Sequence, residues 1–227
     1  MTKKGLQLEP ISSWMKTSRP VIISGPCSAE TEEQTIATAK QVAATGKVHA
    51  LRAGIWKPRT RPGQYEGAGD IGLKWLVQAG KETGLPVTTE VANAAHVEAA
   101  LKAGVNFLWV GARTTVNPFS VQEVADALKG VDIPVLVKNP INPDVELWLG
   151  ALERLNKAGI TKLAAIHRGF SSFEKGPFRN APMWDLAIEL KTRGPELDMI
   201  CDPSHIAGNR DLIAFISQKA LDLDMAG

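Results

Sequence analysis

Read from its N-terminus, the chain repeats one alternation. Short apolar runs at residues 21–28, 49–56, 86–91, 107–112, 134–140, 163–170 and 198–205 are separated by amphipathic stretches. Runs this short, apolar at successive positions, suit strands buried on both faces of a parallel sheet. Between them, "TEEQTIATAKQVAATG", "DIGLKWLVQAGKETG", "AAHVEAALKAG" and "DVELWLGALERLNKAG" carry helical spacing. All four end in Gly, the residue that most readily terminates a helix.

Repeated β–α units mean an α/β fold, as an open doubly wound sheet or a closed barrel. No G-x-G-x-x-G follows the first run, which counts against a dinucleotide-binding sheet. The polar residues decide between the two. Cys27, Lys57, Glu90, Arg113, Lys138, Arg168 and His205 fall at the C-terminal ends of the seven runs. A closed ring gathers such ends around one mouth, whereas an open sheet uses chiefly the strands at its switch point. The expectation is an α/β protein, a TIM (β/α)8 barrel with seven strands visible. The eighth strand is missing: the chain stops at "ALDLDMAG", after a helix and at a turn-like Gly. Residues 1–20 are expected to form an N-terminal leader, and 21–227 a barrel incomplete on its C-terminal side.

Composition narrows the picture further. A chain of 227 residues, 44% hydrophobic and 22% charged, reads as soluble and globular, with a core large enough to need no staples. A net charge of +2 is too weak to suggest nucleic acid. No apolar run reaches membrane length and no signal core opens the chain, so the expected location is the cytoplasm, away from any membrane. Cys27 and Cys201 match no paired zinc spacing and make no disulfide framework, which fits a reducing compartment.

Against this bland balance, "LRAGIWKPRTRPGQYEG" at 51–67 concentrates Arg52, Lys57, Arg59 and Arg61, with no acid before Glu66. Arg113, Lys138 and Arg168 recur at later strand ends. Converging cations repel one another unless anions occupy the space between them. Arg forks match phosphate and carboxylate oxygens in pairs, and Lys adds a point charge. The expected ligand is therefore small and multiply anionic, with more than one phosphate. Cys27 can be a buried small hydrophobe, a nucleophile if a base lies nearby, or a metal ligand. In a barrel the first and seventh strands flank the eighth, so Cys27 and His205 can face a common ion. His49, His96, His167 and Cys201 read as structural, and Trp75 and Trp148 as barrel-to-helix packing. "GNR" after His205 is a candidate anion-binding turn.

With "GPCSAE", "LRAGIWKPRT", "GARTT", "VKN", "HRGF" and "DPSH" in order over residues 21–212, the chain resembles 3-deoxy-D-arabino-heptulosonate 7-phosphate (DAHP) synthase, closest to the short type I-beta branch. The resemblance implies a shikimate-pathway transferase that condenses phosphoenolpyruvate with erythrose 4-phosphate and releases phosphate. It implies that Arg52, Lys57, Arg113, Lys138 and Arg168 hold phosphoenolpyruvate. Pro58, Arg59 and Thr60 would hold erythrose 4-phosphate, and Glu90 would be the acid near the reacting carbons. Cys27 and His205 would be two of four ligands to a divalent metal (Mn2+, Fe2+, Co2+ or Zn2+). The family's Glu and Asp ligands lie on and just after the eighth strand, so the chain as written is expected to hold metal poorly and to be weakly active or inactive. The resemblance also implies a homodimer or homotetramer and a fused or associated chorismate mutase. Two alternatives stand beside it. One is 3-deoxy-D-manno-octulosonate 8-phosphate synthase, in which the "KPRT" loop reads more like "KANRSS". The other is a non-catalytic barrel that binds a phosphorylated metabolite.

Overall fold

The computed structural model of the protein describes residues 5–17, 20–57, 59, 61–174 and 176–227. Its strands are β1 Ile23–Ser24, β2 Ala50–Arg52, β3 Val87–Val91, β4 Phe107–Val110, β5 Val135–Lys138, β6 Leu163–His167 and β7 Met199–Cys201. Each lies within one of the seven apolar runs. They pair in parallel, in sequence order from β1 to β7, which is the expected seven-stranded part of a β/α barrel. The helices are α1 Ile11–Met15, α2 Glu32–Ala43, α3 Asp70–Thr83, α4 Ala94–Ala103, α5 Ala112–Thr115, α6 Pro118–Ala127, α7 Val145–Lys157, α8 Trp184–Arg193, α9 Pro203–Ala207 and α10 Ile213–Asp222.

Local chemistry sets their ends. The side chains of Thr31, Asn93 and Asp144 accept hydrogen bonds from the free N–H groups of Gln34, His96 and Leu147, capping α2, α4 and α7. Gly84 and Gly104 take left-handed conformations (φ 72° and 85°) and close α3 and α4. The observed strands are shorter than the runs. The run 198–205 was expected to extend to His205, but β7 stops at Cys201. Pro203 has no N–H for a ladder, and Asp202 caps α9, whose residues include His205. Likewise Lys57 lies beyond β2 on a loop, and Arg113 lies on α5.

Alternation along each strand builds two cores. One side of the strands packs against the helices, through residues such as Leu51, Val87, Leu108, Val137 and Leu163 with Leu76, Trp148 and Leu152. The other side fills the barrel interior with Ala50, Phe107, Trp109, Leu136, Ala164, Ile166 and Ile200. Trp148 is fully buried, and its indole N–H donates to the Val137 carbonyl at 3.0 Å, as a buried Trp requires. Within residues 1–20, α1 plugs the N-terminal end of the barrel. Ile11 is 1% exposed and donates its backbone N–H to Asp198 Oδ2 at 2.7 Å, while Trp14 and Met15 pack on the inner cluster.

The gap between β1 and β7, where the eighth strand was expected, is not bare. Ala226 donates to the Met199 carbonyl (2.6 Å), and Cys201 donates to the Gly227 carbonyl (2.8 Å). On the other side, Val21 donates to the Ala226 carbonyl at 2.8 Å. Ala226 and Gly227 therefore bridge the two edges, and Gly227 is a paired position, not a turn. A Cβ there would overlap the Val21 carbonyl.

His167 points outward from β6 among the rings of Trp148, Phe170 and Trp184, away from the mouth as expected. Neither ring nitrogen has a hydrogen-bond partner of good geometry, and the weak pull of the Pro182 backbone does not offset burial. Burial lowers its pKa from 6.5 to about 4. The unfolded chain thus binds this proton more readily than the folded one between those two values, so stability falls as pH drops from 6.5 to about 4. Urea unfolding is expected to show a loss of about 3 kcal/mol from this group across that window. A His167→Phe variant is expected to lack that part of the pH dependence.

Candidate active site

The parity that fills the barrel also builds the mouth above it. In a strand, residues two apart share a face. Arg52 thus stands above Ala50, Glu90 above Thr88, Trp109 above Phe107, Lys138 above Leu136, Arg168 above Ile166 and Asp202 above Ile200. A cavity of about 610 Å³ opens here, lined by Cys27, Arg52, Trp109, Lys138, Asp202 and His205 among others. Beside it, a cavity of about 320 Å³ is lined by Trp56, Lys57, Arg59, Glu66, Glu90 and His96. Lys57 joins the two, because its ammonium donates to the Cys27 carbonyl and contacts Cys27 Sγ at 3.3 Å. Pro58 and Thr60, which the resemblance assigns to a substrate, lie outside the described residues.

The cations are held chiefly by groups that leave their charge unneutralised. Arg52 donates to the Pro26 carbonyl at 2.8 Å and lies over the Trp109 ring, 4.9 Å from its centroid. Arg168 donates to Asn180 Oδ1 (2.9 Å) and to the Gly169 carbonyl (3.2 Å), and the exposed Arg113 is near enough to repel it. Lys138 has an acidic partner, Asp202, at 2.9 Å. Asp202 Oδ2 also lies 2.7 Å from His205 Nδ1, close enough to attract the imidazole but not aligned for a hydrogen bond. Burial alone would raise the Asp202 pKa, but Lys138 and His205 hold it well below the usual carboxylate range. Asn139, fully buried, braces the next strand end: its Oδ1 accepts from the Arg168 N–H at 2.7 Å.

Glu90 accepts from the Trp109 indole N–H at 2.8 Å and passes over Gly111, where any Cβ would overlap its carboxylate. For Cys27, burial raises the thiol pKa, but the charges of Lys57 and Arg52 outweigh it and the net shift is downward. Burial pulls the Lys57 ammonium down as well. The adjoining Asp202 carboxylate pulls His205 up, yet burial with Lys138 and Arg168 prevails and leaves its pKa lowered. A thiol inclined to ionise and an imidazole inclined to stay neutral, its Nδ1 beside a carboxylate, are suitable metal donors. Cys27 and His205 line the same cavity, but no group of three His, Cys, Asp or Glu metal donors occurs among the described residues. They therefore fit one half of a four-ligand set.

Of the residues predicted from sequence, Cys27, Arg52, Lys138 and His205 line the larger cavity, while Lys57, Arg59 and Glu90 line the smaller. Arg113 and Arg168 line neither, although Arg168 is close enough to Glu90, Asp202 and Arg113 to feel their charges. His96, expected to be purely structural, stacks on Trp56 at 4.0 Å and lines the smaller cavity. Gly208, Asn209 and Arg210, the candidate anion turn, line the larger one with Arg179. Trp109, Asp202, Arg179 and Asn180 were missed. The first two were legible: each stands two positions beyond an inward apolar residue, and Asp before Pro is a helix N-cap signature. Arg179 and Asn180 arrive on the segment between β6 and α8, which no local signal places.

Fold and mouth together define a β/α barrel with a cation-lined opening suited to small polyanions. The chain belongs to the DAHP synthetase I family, whose sequence profile matches residues 15–226. It is 31% identical over 206 residues to phospho-2-dehydro-3-deoxyheptonate aldolase of Thermotoga maritima, covering 91% of this chain and 59% of that protein. The crystal structure of a Thermotoga maritima DAHP synthase superposes with a TM-score of 0.80 at 29% identity, over 91% of this chain and 58% of the other. A truncated form of the Thermotoga maritima synthase gives 0.77 at 29% identity, over 91% and 72%. The chain thus spans under two thirds of the length of the first two. These likenesses do not favour the manno-octulosonate alternative. No helix among the described residues is long and apolar enough to cross a membrane.

The two cysteines are expected to separate in alkylation. The exposed Cys27 has a lowered pKa, whereas burial pushes Cys201 up to about 12. With iodoacetamide near neutral pH, mass spectrometry should find the label on Cys27 and not on Cys201. Lys57→Met should slow labelling of Cys27 and move its pH midpoint upward.

Proposed function

We propose that this barrel serves the condensation of phosphoenolpyruvate with erythrose 4-phosphate and water, giving DAHP and phosphate. One observation carries the reading. Arg52 and Lys138, from β2 and β5, line one cavity, Lys57 reaches it through Cys27, Arg168 at the end of β6 is near enough to Asp202 to feel its charge, and Asp202 is the carboxylate paired with Lys138. Such a set is short of negative charge, and a substrate with a phosphate and a carboxylate supplies it.

In this reading Arg113, Lys138 and Arg168, with Arg52 and Lys57, hold the phosphate and carboxylate of phosphoenolpyruvate. Arg59 holds the phosphate of erythrose 4-phosphate from the smaller cavity, and Lys57 stands at the junction where the two anions meet. Neutralising both partners lets them approach, and a rigid, partly desolvated cation set needs little reorganisation as charge shifts. The enol carbon attacks the aldehyde carbon, water adds to the carbon bearing the phosphate ester, and phosphate leaves by C–O cleavage. Glu90, fixed by the Trp109 N–H, is placed to hold or move a proton beside the reacting carbons. Cys27 and His205 would hold a divalent metal (Mn2+, Fe2+, Co2+ or Zn2+), which when bound supplies Lewis-acid polarisation of the aldehyde. A homo-oligomeric assembly, with a chorismate mutase as a fused or associated partner, is part of the same proposal.

Calorimetric titration should show phosphoenolpyruvate binding to the chain, weakened at least about tenfold by Arg168→Ala or Lys138→Met, as loss of a charge-assisted contact implies. With a divalent metal added, phosphate release should require erythrose 4-phosphate and exceed the rate with arabinose 5-phosphate. No binding by the chain, or preference for the pentose, would overturn the reading.

A further inference from the structure

We infer that Trp109 is a positioning residue of this site: one indole ring holds two substrate-binding cations on its face and Glu90 on its edge. Arg52 lies 4.9 Å from the ring centroid and Lys138 Nζ 5.6 Å, while the indole N–H donates to Glu90 Oε2 at 2.8 Å. The role follows from register. Trp109 is the direct partner of Glu90 on β3 and of Leu136 on β5, so Lys138 stands one pair above it. It is 3% exposed, packed with Phe107 and Leu136 beneath, and it lines the larger cavity.

The chemistry explains why an aromatic ring suits this position. Two cations close together need a negative surface between them; Lys138 already has a carboxylate partner in Asp202, and a second carboxylate in place of the ring would neutralise Arg52 as well and compete with the substrate. The face of an indole is negative only through its quadrupole, so it attracts cations without occupying the N–H groups that Arg52 and Lys138 have beyond those given to Pro26 and Asp202. The ring edge is positive and carries a true donor, which orients the Glu90 carboxylate. Trp meets both demands at once. Phe offers a face without a donor, and Leu offers neither.

This inference rests on the phosphoenolpyruvate reading above, and the test separates the two. Calorimetric titration of phosphoenolpyruvate into the chain should give binding within about threefold of wild type for Trp109→Phe and about tenfold weaker for Trp109→Leu. With Arg52 already replaced by Ala, the cost of Trp109→Leu should shrink to about threefold, a coupling that a purely structural Trp would not show. If Trp109→Leu fails to show a cooperative thermal transition, protein grown on fluorinated tryptophans decides. Fluorine withdraws charge from the ring face with little change of shape, so affinity should fall stepwise with fluorine number in wild type and stay constant in Trp109→Phe. An equal cost in the Arg52→Ala background, or indifference to fluorination, overturns the positioning role alone. Failure of the wild-type chain to bind phosphoenolpyruvate overturns the functional reading and this inference with it.

Discussion

Strands covered on both faces leave little room for charge along their length, and the charged side chains of the mouth obey that constraint. Ala50, Phe107, Leu136, Ile166 and Ile200 fill the barrel interior, where an unpaired polar group would be costly. Only where each strand leaves the packed layer can an inward-facing side chain be charged. Strand parity then dictates that it stands two residues beyond the last inward apolar one. The mouth is the place where the core ends, and its residues are ordered by the same alternation that orders the core.

Such a mouth accumulates like charges, and the structure manages them without neutralising them. Arg52 rests on a carbonyl and an aromatic face, and Arg168 on an amide oxygen and a carbonyl. Burial presses the Arg168 and Lys57 pKa values downward, the sign of cations held in poorly solvated surroundings. Asp202 is the exception. Its carboxylate lies against both Lys138 and His205, so the two share one anchor. The Asn180 amide adds a second link, accepting from Arg168 and donating to the His205 carbonyl. The Lys138 and Arg168 side of the mouth and its His205 side are therefore tied together through Asp202 and Asn180.

Glycine permits two close approaches that this arrangement needs. Gly25 lets the end of β1 lie against the Arg52 backbone, and Gly111 lets the Glu90 carboxylate cross the start of α5. Side chains at either position would overlap their neighbours, so both glycines belong to the site although neither carries chemistry.

Much of this could be read from the chain directly. Apolar runs and helical periods are local properties, so seven strands, their order and most helices followed from them, as did the cations at the strand ends. Trp109 and Asp202 obey the same parity, yet attention to cations and motifs passed over an aromatic and an acid. Only the folded barrel decided how those residues divide between two cavities. It also decided that His205 rides on a helix beyond its strand, that Asn180 reaches back to Arg168, and that Ala226 and Gly227 lie between β1 and β7. These depend on segments far apart in sequence meeting across the ring, and no short-range pattern encodes a distance of that kind.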